Sequence, residues 1–161
     1  MNGGTRVRYF TRAWCSGEHT DEETDAARAA YWRRVAEIAP RLPAEVAALA
    51  NDLSLHDARF KTVAVDYDSG NLKLRLRCGD LQHGYFDLSL DYEGAEMIDA
   101  TPRGISALMG PPTAEVLYDE IDVTDDGRFE HDMLLWPDGE LVVRFSNLTL
   151  ARDDVPSRDA P

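Results

Sequence analysis

The chain has 161 residues, 43% of them hydrophobic and 29% charged, which is an ordinary composition for one globular domain. Its 30 acidic and 17 basic residues give a net charge of −13, which argues against nucleic acid and anionic membranes as partners and would suit a basic protein. No apolar run approaches the roughly 20 residues of a membrane helix. No leader sequence is recognisable either, so we expect a cytoplasmic protein.

The first part of the chain predicts two helices. Residues 1–4 should be loose, and the following segment, RVRYFTRAW, predicts either a short edge strand or a cluster of aromatic side chains. Thr20 opens a capping box with the glutamate three residues later, which predicts a helix that ends at Pro40. A second short helix begins near Pro43, so the two helices occupy about residues 20–52.

From residue 60 the spacing of apolar residues changes from 3.6 to 2, which predicts strands over about residues 60–150. A two-residue loop at Ser69 and Gly70 predicts a hairpin in which Val65 lies opposite Leu74. The outward acids of the next strand can pair with the outward basic residues of this hairpin. The outward acids are Asp87 and Asp91, the basic residues are Lys73 and Arg77, and Asp66 can reach Lys73 from the other side.

Two later hairpins share one design, in which three residues ending in glycine, DDG and PDG, connect the strands. This loop combines a type I turn with a bulge and needs glycine at positive φ. The two loops place Ile121 and Phe145 opposite His131. One helical turn is predicted before these hairpins, and residues 151–161 are predicted to be a disordered tail. Together the elements predict a single α+β domain over residues 1–150, with two N-terminal helices packed on a curved antiparallel meander of about six strands.

His131 is predicted to share the inward face of its strand with Asp119, its diagonal neighbour. A carboxylate beside an imidazole in apolar surroundings can act as an acid/base pair. Asp119 can also simply satisfy the hydrogen-bonding needs of a half-buried histidine. We favour this structural role, because buried polar groups need partners.

Strand alternation sends the neighbouring Asp132 to the outward face, where it joins Glu120, Asp122 and Glu130 and lies opposite Arg144. Four carboxylates on paired strands could bind a basic partner or hold a divalent cation. A solvated acidic face is the simpler interpretation, and no metal site is predicted. These four acidic residues are the candidate partner-binding site.

The sequence LHDARF places His56 and Asp57 where helical sequence gives way to the sheet. Phosphohydrolases that bind metal through a His-Asp doublet are helical bundles with further ligands, so that assignment is rejected. Backbone hydrogen bonds at a junction explain the doublet, although a zinc site of His56, His83 and a carboxylate stays open. Cys15 and Cys78 form no metal motif and are expected to be free thiols.

Three stretches, RYFTRAW, LHDARF and the closing YDEIDV…GRFEHDMLLWPDGELVVRFSNLTL, resemble a bacterial family known only as a domain of unknown function. Members of that family open with a Tyr-Phe-Thr stretch, carry a Leu-His-Asp step and end in a hairpin with a histidine in an acidic-aromatic strand. The resemblance implies no activity and no catalytic residues. The small, acidic α+β make-up is also similar to that of immunity proteins that neutralise bacterial toxins.

Two functional hypotheses follow. The first is a non-enzymatic, immunity-like binding module that uses its acidic sheet face on a basic protein partner. The second is a small metal-dependent hydrolase built on His56, Asp57, Asp119 and His131, which requires these side chains to converge on one pocket. No P-loop, dinucleotide fingerprint or nucleophile elbow is present, so no cofactor is predicted.

Overall fold

The computed structural model describes residues 6–161, so the prediction for residues 1–4 lies outside the described residues. The fold is α+β as predicted, although it has eight strands rather than about six. None of the helices in residues 6–161 combines the length and apolar character that a membrane crossing requires. The helices are α1 (Arg12–Cys15), α2 (Asp21–Ile38), α3 (Ala44–Asn51) and α4 (Pro102–Ala107), with a 3₁₀ turn at Ala39–Arg41. The strands are β1 (Ala58–Asp66), β2 (Asn71–Asp80), β3 (Gly84–Glu93), β4 (Glu96–Ile98), β5 (Glu115–Val123), β6 (Phe129–Trp136), β7 (Glu140–Phe145) and β8 (Asn147–Val155).

The strands form one antiparallel sheet in the order β4-β7-β6-β5-β1-β2-β3-β8. Strands β1 and β5 pair only near their first residues, where Ala58 lies opposite Val116. The sheet therefore opens at this point into two halves whose apolar faces pack on each other. The ring of Tyr92 on β3 lies 5.1 Å from the ring of Phe145 on β7. The apolar residues that alternate along β2 and β3 line this core, as the period of two predicts.

Helix α2 begins at the predicted capping box. The Thr20 hydroxyl accepts from the Glu23 N–H, and the Glu23 carboxylate accepts from the Thr20 N–H. The inward face of the helix is buried, and Tyr31 on that face also bonds to the sheet. Its hydroxyl accepts a hydrogen bond of 3.0 Å from the Ile121 N–H on β5. Because β5 has already separated from β1 there, the helix satisfies a backbone group that no strand reaches.

The segment RVRYFTRAW forms the aromatic cluster and not the edge strand, the two structures that its sequence predicts. Residues 6–11 have no regular secondary structure, and α1 follows them. The ring of Phe10 lies 4.9 Å from the ring of Trp14 and 4.9 Å from that of Tyr31. This segment therefore joins α1 and α2 in one aromatic contact.

The predicted register of the β1–β2 hairpin is wrong by two residues, because Val65 lies opposite Leu72 rather than Leu74. The turn is wider than predicted: Asp66 Oδ1 accepts from the N–H groups of Asp68 at 3.0 Å and Ser69 at 3.2 Å. An aspartate that bonds to the backbone just ahead of it favours such a turn. A shift of two residues keeps every side chain on its predicted face, since only an odd shift exchanges the faces.

The DDG hairpin between β5 and β6 has the predicted register at its closed end, where Ile121 lies opposite His131. Further from the turn, a bulge displaces Leu117, so that Val116 lies opposite Leu135. The bulge lies next to the point where β5 pairs with β1, and bulges bend strands in this way.

The PDG hairpin between β6 and β7 differs from the prediction by two residues, because His131 lies opposite Val143 rather than Phe145. The Leu135 N–H donates to the Gly139 carbonyl at 3.0 Å, so the turn encloses residues 136–138 and lies one position earlier than the predicted loop 137–139. The faces again stay as predicted, but each outward residue acquires a different partner across the strands.

The C-terminal end of the chain is not the predicted disordered tail. Strand β8 pairs with β3 as far as Val155, which lies opposite Tyr85. Beyond it, the guanidinium of Arg77 donates to three backbone carbonyls, those of Ser157, Arg158 and Ala160. The low apolar content of residues 151–161 suggested disorder, but backbone pairing and a buried arginine hold this segment without apolar side chains.

Candidate functional site

The four acidic residues predicted to form an exposed face share one face of β5 and β6, but that face is covered. Glu120, Glu130 and Asp132 are each 4% exposed. Residues 6–10, here called the strap, lie over them. The predicted exposure of this face is therefore wrong, because alternation identifies the face of a strand but not the segment that covers it.

Glu120 holds the strap through its backbone. Its carboxylate accepts the N–H groups of Arg8, Tyr9 and Phe10 at 3.0, 2.7 and 2.8 Å. An ionised carboxylate is a pure acceptor and suits three donors. Burial raises the pKa of Glu120, and the three backbone N–H groups act in the opposite direction.

Asp122 and Glu130 are paired with arginines from three different elements. Asp122 binds Arg8 of the strap at 2.9 Å and Arg34 of α2 at 2.8 Å. Glu130 binds Arg144 of β7 at 2.9 Å. These ion pairs neutralise the two carboxylates within the chain, so they leave little of the acidic field that a basic partner would meet.

Among residues 6–161, no basic side chain lies within hydrogen-bond distance of Asp132. It lies between Glu120 on β5 and Val142 on β7, because the observed register pairs Arg144 with Glu130 instead. Its Oδ1 atom is buried and has no hydrogen-bond partner among the described residues. Burial, followed by the charges of Glu130 and Glu120, raises the pKa of Asp132 to about 8. Burial and the neighbouring acids therefore favour the neutral form of the Asp132 carboxyl over its ionised form.

His131 lies on the predicted inward face with Asp119 beside it. Its Nε2 is 2.8 Å from Asp119 Oδ2, and its Nδ1 is 2.8 Å from the Tyr92 hydroxyl. Because the carboxylate only accepts, Nε2 donates to Asp119 and the hydroxyl donates to Nδ1. Tyr92 was not predicted as a partner, since it reaches His131 from the other half of the sheet.

The LHDARF stretch forms the predicted junction between helical sequence and sheet. The Asp57 N–H donates to the Val116 carbonyl at 2.8 Å, and Asp57 adopts a φ of 61°. His56 Nδ1 lies 2.6 Å from the Leu117 carbonyl, and its ring is 4.8 Å from that of Tyr118. These contacts fix the direction of the His56 side chain beside β5.

His56 and Asp119 line one cleft of about 410 Å³. The Asp119 side chain is 16% exposed and supplies a carboxylate to it. The Arg28 guanidinium lies at its rim, 5.9 Å from the ring of Trp14. Neighbouring rings of the aromatic wall lie 4.8 to 5.5 Å apart. Besides His56, the wall consists of Phe10, Trp14, Tyr31, Trp32 and Tyr118.

The four residues of the hydrolase hypothesis do not line one pocket. His56 and Asp119 line the cleft, whereas His131 is fully buried behind Asp119. Asp57 lines a neighbouring cavity of about 570 Å³ together with His83 and the other side of His56, and neither Asp119 nor His131 reaches that cavity. Among residues 6–161, no three histidine, cysteine or carboxylate side chains are placed to hold a metal ion, which includes the zinc site considered above.

Both cysteines are free thiols, as predicted. Burial raises the pKa of Cys78 to about 12 and also raises the pKa of Cys15. A reactive cysteine needs a lowered pKa, so neither thiol is activated for chemistry.

The match to a known family covers most of this structure. Residues 4–143 match a family described as a protein of unknown function (DUF4085). The chain belongs to this family. The matched residues include the strap, the cleft and the acidic face, and they end within β7. No curated protein matches the sequence. The prediction of an uncharacterised family is confirmed, and membership brings no activity with it.

Proposed function

We propose that this family member is a non-enzymatic binding module whose aromatic cleft receives a positively charged side chain of a basic protein partner. The proposal depends on one observation, the presence of the Asp119 carboxylate in a cleft with an aromatic wall. Aromatic faces and a carboxylate both attract a cation. Together they favour lysine or arginine over a neutral side chain of similar shape.

The cleft already has a guanidinium at its rim. Arg28 lies 5.9 Å from the Trp14 ring and also pairs with Asp25 at 3.1 Å. Its side chain is 52% exposed, so it leaves the cleft open to solvent. Trp32 adds a ring that is 45% exposed, which is the kind of aromatic surface that anchors a partner.

The network behind Asp119 supports a binding role. His131 donates to Asp119 Oδ2 and is itself held by the Tyr92 hydroxyl. A carboxylate whose direction is already fixed loses little freedom when it meets a ligand, so more of the interaction appears as affinity.

The class of partner is the one predicted from the sequence, but the location on the protein differs. A net charge of −13 attracts a basic protein over long distances and accelerates its encounter. The four acidic residues first assigned to the contact are covered by the strap, whereas the cleft is open. An immunity-like role, in which the partner is a basic toxin, is one form of this proposal and derives from composition alone.

The three tryptophans provide a direct test by NMR of the ¹⁵N-labelled full chain. We expect the peptide acetyl-Gly-Gly-Arg-Gly-Gly-amide to shift the indole N–H signals of Trp14 and Trp32 in a saturable way and to leave Trp136 unchanged. A dissociation constant of about 1 mM is expected for one cation and its ring contacts. The same peptide with citrulline in place of arginine keeps the shape without the charge and should not bind.

Matched variants separate the cleft from the rest of the surface. Trp32→Ala should weaken binding at least about threefold, while Trp136→Ala, which removes a ring that is also 45% exposed, should not. Asp119→Asn keeps an acceptor for His131 but removes the charge, and it should weaken binding relative to Asp68→Asn in an exposed turn. Equal binding of the citrulline peptide, or a Trp136 signal that follows the same titration curve, would show that the proposal is wrong.

A further inference from the structure

The covered acidic face has one more negative charge than its partners can match. Its four carboxylates meet three guanidinium groups, those of Arg8, Arg34 and Arg144. These arginines pair with Asp122 and Glu130, and Glu120 is satisfied by three backbone N–H groups. Asp132 is the remaining carboxyl, with a buried Oδ1 that has no partner among the described residues.

Every element around Asp132 contributes a charged group, and the nearest ones are acidic. Glu120 lies directly opposite on β5, and Glu130 lies on the same face of β6. The arginines that reach this face bond to other carboxylates. The charged groups that face Asp132 are Glu120 and Asp122 of β5, Glu130 of β6, Arg144 of β7, Arg8 of the strap and Arg34 of α2.

The attachment of the strap depends on these same charges. Among the described residues, the hydrogen bonds that the strap donates to the sheet end on carboxylates. The Arg6 N–H donates to Glu140 at 3.1 Å. The backbone N–H groups of Arg8, Tyr9 and Phe10 donate to Glu120. The strap forms no ladder with a strand. A change of charge beside Glu120 therefore weakens or strengthens most of the hydrogen bonds that hold the strap on the sheet.

We propose that residues 6–10 are a proton-controlled strap, closed while Asp132 holds its proton and released from the sheet when Asp132 loses that proton to water. With Asp132 neutral, Glu120 is the only charged member of this opposed pair of carboxyls and keeps its three donors. Once Asp132 ionises, two carboxylates lie directly opposite each other in a site with little water, where like charges repel strongly. Departure of the strap admits water and relieves this repulsion.

The direction of the response follows from the unusual state of Asp132. Its pKa is raised to about 8 by burial and by the neighbouring acids, so the closed form binds a proton that the open form gives up. The closed strap is therefore most favoured in acid, and this preference weakens steadily as the pH rises from the usual pKa of an aspartate toward about 8. Phe10 belongs to both the strap and the cleft wall, so control of the cleft by pH rests on the proposed function above.

Amide exchange in the full chain without any ligand tests the strap by itself. Protection factors of the Arg8, Tyr9 and Phe10 amides would be measured by NMR from pH 5 to 9.5 and corrected for the intrinsic rate of exchange. We expect protection to fall by up to about tenfold per pH unit, the limit for one proton, as the pH rises from about 5 to about 8, and to change little above about pH 8. The amides of Leu74 and Leu90 in the central strands should keep their protection.

Two further measurements make the test decisive. The Asp132 side-chain carbon should titrate near the pH at which the fall in protection levels off. Asp132→Asn should keep the strap protected at pH 9.5, while Asp68→Asn should behave as the unmodified chain does. Titration of Asp132 below pH 5, or protection that stays unchanged between pH 5 and pH 8, would overturn the proposal even if the asparagine variant fails to fold. No peptide is present, so failure of the cleft to bind cations leaves this result intact.

Discussion

The two ends of the described chain each cover a group of charged residues on the outer surface of the sheet. The strap covers the acidic face of β5 and β6, and residues 157–160 cover Arg77 and Asp87 on β2 and β3. The Arg77 and Asp87 side chains are only 1% and 3% exposed. In both places, charges that alternation assigns to a solvated face are buried by a segment without regular structure.

The two sites differ in how well their charges are matched. Asp87 binds the Arg77 guanidinium through two hydrogen bonds and meets Arg75 at 3.0 Å. The remaining donors of Arg77 reach backbone carbonyls of the C-terminal segment. The acidic face instead includes Asp132, which no cation within the described part of the chain pairs with. Buried charge is stable when it is paired and bonded, so the comparison predicts opposite consequences of neutralising the two sites.

The largest effect is expected where the matched pair is broken. Arg77→Met removes the cation but preserves the volume of the side chain, which leaves Asp87 buried with Arg75 as its remaining partner. We expect the free energy of unfolding to fall by about 3–5 kcal/mol. Urea denaturation monitored by tryptophan fluorescence measures this change.

The same strands offer a matched control for that variant. Lys73 lies opposite Asp91 as Arg77 lies opposite Asp87, but the Lys73 side chain is 67% exposed. Lys73→Met should therefore cost less than about 1 kcal/mol. Similar losses in the two variants would show that the C-terminal segment does not bury the Arg77–Asp87 pair in solution.

The second-largest effect is the pH dependence of stability, which should have opposite signs at Asp87 and Asp132. The bonds from Arg77 lower the pKa of Asp87, so the carboxylate stabilises the fold above its usual pKa and loses that contribution in acid. Asp132 has a raised pKa, so it destabilises the fold increasingly as the pH rises from its usual value toward about 8. Asp132→Asn should stabilise the protein by about 1–3 kcal/mol at pH 8, the usual cost of an unsatisfied buried group. Asp87→Asn should destabilise it at the same pH.

Urea midpoints at pH 5 and pH 8 test both signs in one experiment. The gain from Asp132→Asn should be largest at pH 8 and shrink toward pH 4, because both the folded and the unfolded chain are then protonated. Destabilisation by Asp132→Asn at pH 8 would mean that the ionised carboxylate has a stabilising partner. The contrast between the two buried sites would then disappear.

The residue types and their spacing predicted which face of the sheet each side chain occupies better than they predicted its cross-strand partner. His131 and Asp119 lie on the predicted inward face, and Asp132 and Glu120 lie on the opposite face, also as predicted. Alternation predicts these faces because it depends on local geometry alone. The predicted cross-strand partner of Arg144 was wrong, because the turn after β6 lies one residue earlier than its glycine suggested. A turn displaced by one residue shifts the register by two, which changes every cross-strand pair while preserving every face.

The aromatic cleft and the two segments that cover charged residues could not be predicted from the sequence, for a different reason. The aromatic wall brings together residues that are distant in the sequence. Phe10, Trp14 and Trp32 lie near the N-terminal end, whereas Tyr118 lies on β5. Only the density of aromatic residues in RVRYFTRAW indicated a cluster. The two covering segments have no periodic pattern, because they bind through backbone groups. Such contacts do not depend on side-chain spacing and leave no signal in it.

The smallest effect concerns the cations that keep the acidic face nearly balanced. Arg34 binds Asp122 from α2 at 2.8 Å, with a side chain 33% exposed, while the neighbouring Arg33 is exposed. We expect Arg34→Met to lower the free energy of unfolding by about 1 kcal/mol and Arg33→Met to change it by less than about 0.5 kcal/mol. Removing Arg34 also increases the unmatched negative charge beside the strap, so its cost should be larger at pH 8 than at pH 5. Urea denaturation at the two pH values measures this difference, and an equal cost at both would mean that Asp122 and Asp132 do not share one charge balance.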